Sequence, residues 1–173
     1  IPSLQGVFHK DGAVVVTDGH RANMAKNITE KEGVFDVNGE KMDVNYPSNA
    51  FNFFIKNESC NISILNVQET LNAIKELKEE ANEIDPYFML LFENNEIKAF
   101  VSKKDIVSKN ICIDFSGKIY CSYKYFYDIL MFFKAMNIKE VELSYMNNRH
   151  YPMFFSDKDQ EVQSILMPIK VKN

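Results

Sequence analysis

Residues 117–171, GKIYCSYKYFYDILMFFKAMNIKEVELSYMNNRHYPMFFSDKDQEVQSILMPIKV, contain the pattern that decides the fold. Alternation over 117–121 predicts a strand, and Ser122 is placed as the N-cap of the helix that follows. Three more strands are predicted over 141–145, 151–155 and 163–171. The order is therefore strand, helix, strand, strand, strand. The helix is predicted from four apolar residues at helical spacing: Phe126, Ile129, Leu130 and Phe133.

The same order occurs once more upstream, from residue 60 to residue 115. An opening strand at 62–65 leads to Asn66, which we place as the cap of a helix that ends before Asp85-Pro86. Two strands follow, joined by a turn at Asn94-Asn95, which corresponds to the turn at Asn147-Asn148 in the other copy. Residues 106–115 then close this copy. A repeat of roughly 55 residues is too long for a solenoid unit. We expect an α+β domain in which the two copies pair, with helices on one face and antiparallel sheets on the other.

Residues 1–56 resemble a third copy that lacks its opening strand and helix. Strands are predicted around the turn Lys10-Asp11-Gly12 and again over 22–26, and a small hairpin is predicted over 33–44. An aromatic run over 51–55 is expected to pack against the core. We therefore predict a partial half-domain over 1–56 and a complete domain over 57–173, with halves at about 60–115 and 117–171. Since the chain begins at Ile1 rather than Met, we expect further residues before it.

Composition and charge exclude several functional classes. The formal net charge is −4, with 24 acidic and 20 basic residues, which argues against a tight DNA binder with a clustered basic face. A loose electrostatic contact with DNA remains open, as does binding to protein partners alone.

No apolar run approaches the ~18–20 residues of a membrane span, and three cysteines without a C-x-x-C pair indicate a reducing cytoplasm. Motifs for catalysis, cofactor or metal binding are lacking, so we expect neither an enzyme nor a cofactor.

Four stretches of the sequence resemble the bacterial DNA sliding clamp, the beta subunit of DNA polymerase III. Residues 1–7 (IPSLQGV) and 16–21 (VTDGHR) are similar to a strand and a Thr-Asp-Gly-His-Arg-Leu motif of its second domain. Residues 165–171 (ILMPIKV) resemble its closing Val-Met-Pro-Met-Arg-Leu, and residues 125–134 resemble its last helix, Tyr-x-x-Asp-x-Leu-x-x-Leu-Lys. A bacterial clamp subunit has three full domains. The resemblance therefore implies a reduced or truncated clamp, half of a second domain joined to a third.

In the clamp family the Thr-Asp-Gly-His-Arg loop and the Met-Pro-Met-Arg tail line one apolar cleft. Polymerases and repair proteins insert a short peptide there, with a Gln and a hydrophobic pair. Ala22 stands where the family has Leu, and Lys170 and Val171 replace Arg and Leu, which implies a shallower pocket and a different preferred peptide. From the residues alone, 17–21 can also be only a strand-end turn, with Asp18 and Gly19 chosen for backbone geometry. The residues that the resemblance assigns to the cleft are Thr17, Gly19, His20, Arg21, Ile165, Met167, Pro168, Ile169 and Lys170.

Clamp rings also place helices on their inner surface, where Lys and Arg face duplex DNA without reading its sequence. The candidates here are Lys75 and Lys78 on the first helix and Lys124 and Lys134 on the second. A solvated helix face of mixed charge is the alternative, because the first helix also carries many Glu residues. Tyr123, Tyr127 and Met131 add apolar surface to the second helix, where a subunit or partner contact is an option.

The resemblance implies a non-enzymatic processivity factor that tethers a polymerase or repair protein through the cleft, and the cysteines indicate the cytoplasm. Whether the chain contacts double-stranded DNA and forms a homo-oligomer is left open by the sequence. The alternative is an adaptor or decoy for clamp-binding peptides that keeps the clamp fold without forming a ring or binding DNA. The acidic balance and the few helix lysines favour that alternative.

Overall fold

The computed structural model describes residues 5–46, 50–56, 60–82, 88–101, 104–110, 114–148 and 150–171. Within them the chain forms thirteen strands, two α-helices and one 3-10 helix. In chain order these are β1 Val7–Lys10, β2 Ala13–Thr17, β3 Arg21–Ala25, β4 Gly33–Phe35, β5 Lys41–Met42, the 3-10 helix Ala50–Phe54, β6 Asn61–Asn66, α1 Val67–Asn82, β7 Met89–Glu93, β8 Glu96–Val101, β9 Lys104–Asn110, β10 Lys118–Ser122, α2 Tyr123–Ala135, β11 Glu140–Tyr145, β12 Met153–Ser156 and β13 Val162–Leu166.

The two predicted copies are present, and both helices begin where the sequence placed their caps. Asn66 Oδ1 accepts a 3.0 Å hydrogen bond from the Glu69 N–H, and Ser122 Oγ accepts a 3.4 Å bond from the Tyr125 N–H. Each cap satisfies one of the N–H groups that a helix start leaves without a partner. The predicted end of α1 at Asp85-Pro86 lies outside the described residues.

The two copies exchange their opening strands. β6 of the first copy pairs with β11 of the second, and β10 of the second pairs with β7 of the first. One sheet has the strand order β10-β7-β8-β9, and the other has the order β5-β4-β1-β2-β3-β13-β12-β11-β6. All pairings are antiparallel, so the predicted α+β fold with pseudo-symmetric halves is confirmed.

Aromatic side chains fill the core between the helices and the two sheets. Phe92 and Phe126 meet edge-on at 5.1 Å between ring centroids, and Phe115 stacks on Tyr145 at 4.2 Å. Such pairs add about 0.5–1.5 kcal/mol beyond the area they bury. The four apolar helix positions predicted for α2 are all fully buried.

The chain after β5 crosses the outer face of the nine-stranded sheet, the face turned away from the helices. We call residues 43–56, of which 43–46 and 50–56 are described, the crossing segment. Its Tyr46 and Ala50 pack with Met24 of β3, and its Phe54 packs with Ile165 of β13. The predicted packing of the aromatic run is confirmed for Phe51 and Phe54, whereas Phe53 and Ile55 are exposed.

Several strand boundaries differ from the prediction. β13 ends at Leu166 rather than at residue 171, because Pro168 has no N–H to donate to a ladder. β12 begins at Met153 rather than at residue 151, since the Tyr151 N–H bonds to the Asn148 carbonyl oxygen at 3.0 Å and extends the turn. β9 spans Lys104–Asn110 instead of the predicted 106–115, of which 111–113 lie outside the described residues. β3 begins and ends one residue earlier than predicted.

Candidate functional site

Residues 17–21 form a turn held by its own side chains, which we call the cleft turn. The Thr17 hydroxyl donates to the Arg21 carbonyl oxygen at 2.7 Å and accepts from the Gly19 N–H at 3.1 Å. Asp18 Oδ1 accepts from the His20 and Arg21 N–H groups, both at 3.0 Å. Gly19 has a φ of +88°, a backbone conformation that would be strained in a residue with a side chain. The backbone role predicted for Asp18 and Gly19 is thus confirmed, and the turn is fixed in shape.

The cleft turn also holds Asp18 in its charged form. Burial alone raises the pKa of Asp18, but the two backbone N–H bonds and the Arg21 charge outweigh it, so the pKa lies below its ordinary value. A charged Asp18 in turn orients Arg21, whose Nε lies 3.1 Å from Asp18 Oδ2.

Helix α2 supplies one wall of the site. Asp128 Oδ2 accepts a 2.5 Å bond from Arg21 Nη1, and the Arg21 guanidinium lies 4.7 Å from the Tyr125 ring centroid. The His20 ring stacks near the same tyrosine, with centroids 5.8 Å apart and planes at 16°. Tyr125 and Asp128 belong to the helix motif over 125–134, but the sequence alone does not assign them to the site.

The C-terminal segment, residues 165–170, meets the cleft turn directly. β13 pairs with β3 so that Leu166 lies opposite Arg21. Beyond the ladder, the Met167 N–H donates to the His20 carbonyl oxygen at 2.9 Å, and the Ile169 N–H donates to the Tyr120 carbonyl oxygen at 2.8 Å. The cleft turn and the C-terminal segment, which are far apart in the sequence, therefore lie side by side in the structure.

The assigned cleft residues differ in accessibility. Gly19, His20, Met167 and Lys170 are exposed, whereas Ile165 is buried beneath Phe54 of the crossing segment. Ile165 is therefore covered by the chain itself. A cavity of about 320 Å³ lies beside the turn. It is lined by Val16, Thr17, Asp18, Arg21, Ala22, Asn23 and Asp128.

Three of the four helix lysines lie together. Lys75 and Lys78 of α1 and Lys124 of α2 line a groove of about 510 Å³, which we call the helix groove. Its other lining residues are Glu79, Tyr123 and Tyr127. Lys134 lies apart from the helix groove, near the far end of α2, where it lines a separate cavity of about 410 Å³ with Lys139.

Comparison with known proteins gives a match in structure and none in sequence. No protein-family model matches the chain, and no curated protein sequence matches it. Over 98% of its length, the chain matches the beta sliding clamp of C. crescentus at a TM-score of 0.75 and 15% identity. Over the same share it matches a sliding clamp from Pseudomonas aeruginosa at 0.75 and 14%, and a DNA polymerase III beta subunit from Thermotoga maritima at 0.73 and 15%. The chain has the sliding-clamp fold.

The chain spans 58% of the length of these clamp structures. The division into domains at residue 56 stays a prediction. Among the described residues no helix is long and apolar enough to cross a membrane. In the same part of the chain no three His, Cys, Asp or Glu side chains are grouped to hold a metal ion.

Proposed function

We propose that this clamp-fold chain is a processivity factor that tethers a polymerase or another DNA-processing partner through a peptide-binding cleft. The observation that carries the proposal is the hydrogen bond from Met167 to His20, which joins the C-terminal segment to the cleft turn. At these two places the sequence resembles the motifs that line the peptide cleft of bacterial clamps.

The exposed residues of the cleft suit an extended peptide. Met167 is 38% exposed and has an adaptable thioether side chain, and His20 offers ring nitrogens to the backbone of a bound strand. Arg21 is already held by Asp18, Asp128 and Tyr125, so little side-chain entropy remains to be lost on binding. Because Ile165 is covered, we expect the hydrophobic pair of the peptide to rest on Met167, Pro168 and Ile169.

Isothermal titration calorimetry with a synthetic peptide that contains a Gln and a Leu-Phe pair tests the cleft. His20→Ala and Met167→Ala should each weaken binding about five-fold or more. Lys158→Ala is the matched control, since Lys158 is exposed in the turn at the other end of β13. Wild-type affinity in both cleft variants would refute the assignment of the cleft.

For DNA, we propose that the lysines of the helix groove face the phosphate backbone without reading sequence. A contact made by three lysines on a chain of net charge −4 should be weak and should fall steeply with salt. Lys134, which lies outside the groove, should contribute less than the other three.

A ring would require further copies or further domains, and the topology suggests where they attach. β9 and β13 are equivalent strands of the two halves, and β13 is continued by β3. In the described part of the chain β9 pairs only with β8, so its other edge can accept a strand. We propose that a second copy binds there, and light scattering should show a mass that rises with concentration.

The alternative function is an adaptor or decoy that binds clamp-binding peptides without a ring or DNA. The acidic net charge favours it. Peptide binding together with a constant monomeric mass and no affinity for duplex DNA would establish this alternative over the processivity role.

A further inference from the structure

The helix groove contains an aromatic stack that a contact with phosphates alone does not require. Tyr123 and Tyr127, one turn apart on α2, stack with centroids 6.0 Å apart and planes at 23°. Phe88 packs against Tyr123 at 4.9 Å and anchors the inner end of the stack. Tyr127 is half-buried against the core and lines the groove beside Tyr123.

The groove is also positive, although the chain as a whole is acidic. Its lining includes Lys75, Lys78 and Lys124 against one carboxylate, that of Glu79, which gives a local charge of 3 − 1 = +2. Lys78 Nζ lies 5.9 Å from the Tyr123 ring centroid, so charge and aromatic surface are adjacent.

Two further acidic residues of α1 are directed away from the groove. Glu76 and Glu80 bind Lys109 of β9 at 3.1 and 3.3 Å. These hydrogen bonds raise the pKa of Lys109 above its ordinary value. The acidic side of α1 thus faces β9, and its lysines face α2.

We propose that the helix groove binds single-stranded nucleic acid, with a base stacked on Tyr127 and the phosphates held by Lys75, Lys78 and Lys124. Proteins that bind single strands combine a positive groove with aromatic side chains for base stacking. The base faces of a duplex are covered by neighbouring base pairs, so only an unpaired segment can use the tyrosine. The groove volume of about 510 Å³ lies in the range of small-ligand sites, roughly 300–1,000 Å³, and suits a short segment.

This inference deepens the proposed nucleic-acid contact of the helix lysines and rests on it. The two are distinguishable because duplex DNA needs only the lysines, whereas a single strand needs Tyr127 as well.

The test measures binding of labelled oligothymidine on the order of ten nucleotides long, and of a duplex of equal length, to the full chain at low salt. Tyr127→Leu should weaken oligothymidine binding at least about five-fold and leave duplex binding within about two-fold. Tyr120→Leu is the control, since Tyr120 alternates with the buried Ile119 and Cys121 and lies on the opposite face of its sheet. Lys124→Gln should weaken both ligands, and Lys158→Gln neither.

Intrinsic fluorescence gives a second readout, because the chain contains eight tyrosines and no tryptophan. Stacking should quench tyrosine emission in the wild type, and the quench should shrink in Tyr127→Leu. Oligothymidine binding that is equal in Tyr127→Leu and wild type would overturn the inference while leaving the duplex contact intact. Absence of binding to both nucleic acids would overturn the inference and the proposed DNA contact together. Binding of polyglutamate in place of oligothymidine would identify the groove as an acidic-peptide site and would also overturn it.

Discussion

Asp18 shows how a single carboxylate fixes the cleft turn. It accepts two backbone N–H bonds and faces Arg21, and its pKa is lowered. A carboxyl with a lowered pKa contributes stability above its unfolded pKa of about 4, and this contribution is lost as pH falls through the lower folded pKa.

Asp18→Asn should therefore lower the free energy of unfolding at pH 7 by at most about 1 kcal/mol, since the side chain is 40% exposed. The difference between variant and wild type should shrink as the pH falls below about 4. Urea unfolding at several pH values measures it. A difference that stays constant down to the acid limit would show that Asp18 acts through something other than its charge.

At the scale of single elements, the two helix caps offer a comparison within one molecule. The bond to Asn66 is 3.0 Å long and that to Ser122 is 3.4 Å, so the first cap should be the stronger. Asn66→Ala should cost about 1 kcal/mol and Ser122→Ala about 0.5 kcal/mol in thermal or urea unfolding. Equal costs, or the reverse order, would contradict the geometry.

Phe54 of the crossing segment packs with both outer-face clusters, whereas Tyr46, Ala50 and Phe51 pack with only one of them. Phe54→Ala should lower the free energy of unfolding by about 1–3 kcal/mol through lost apolar burial. Phe53→Ala is the matched control, because Phe53 is 36% exposed and belongs to neither cluster. Similar losses in the two variants would mean that the segment is held elsewhere.

At the scale of the whole molecule, the strand exchange makes each half depend on the other. A fragment of residues 60–116 would leave β6 without its partner β11 and β7 without β10. We expect this fragment to lack cooperative thermal unfolding by circular dichroism, whereas the full chain unfolds cooperatively. A sharp transition in the fragment would contradict the interdependence.

The sequence was sufficient for the order of elements in both halves, because apolar periodicity and caps are local signals. It did not predict the strand exchange, since alternation sets which face of β6 or β10 is buried and does not specify the neighbouring strand. Nor did it show that Ile165 is covered or that Tyr125 and Asp128 border the cleft. Those facts depend on contacts between residues far apart in the chain, such as Arg21 with Asp128.

In the proposed function a partner peptide binds where the cleft turn meets the C-terminal segment. Amide NMR spectra of the isotope-labelled chain, titrated with the Gln-containing peptide, locate the binding site residue by residue. We expect shifts at Gly19, His20, Met167 and Lys170, and unchanged signals at Lys75 and Lys78 in the helix groove. Shifts confined to the helix groove or to the β9 edge, with the cleft turn unchanged, would contradict this proposal.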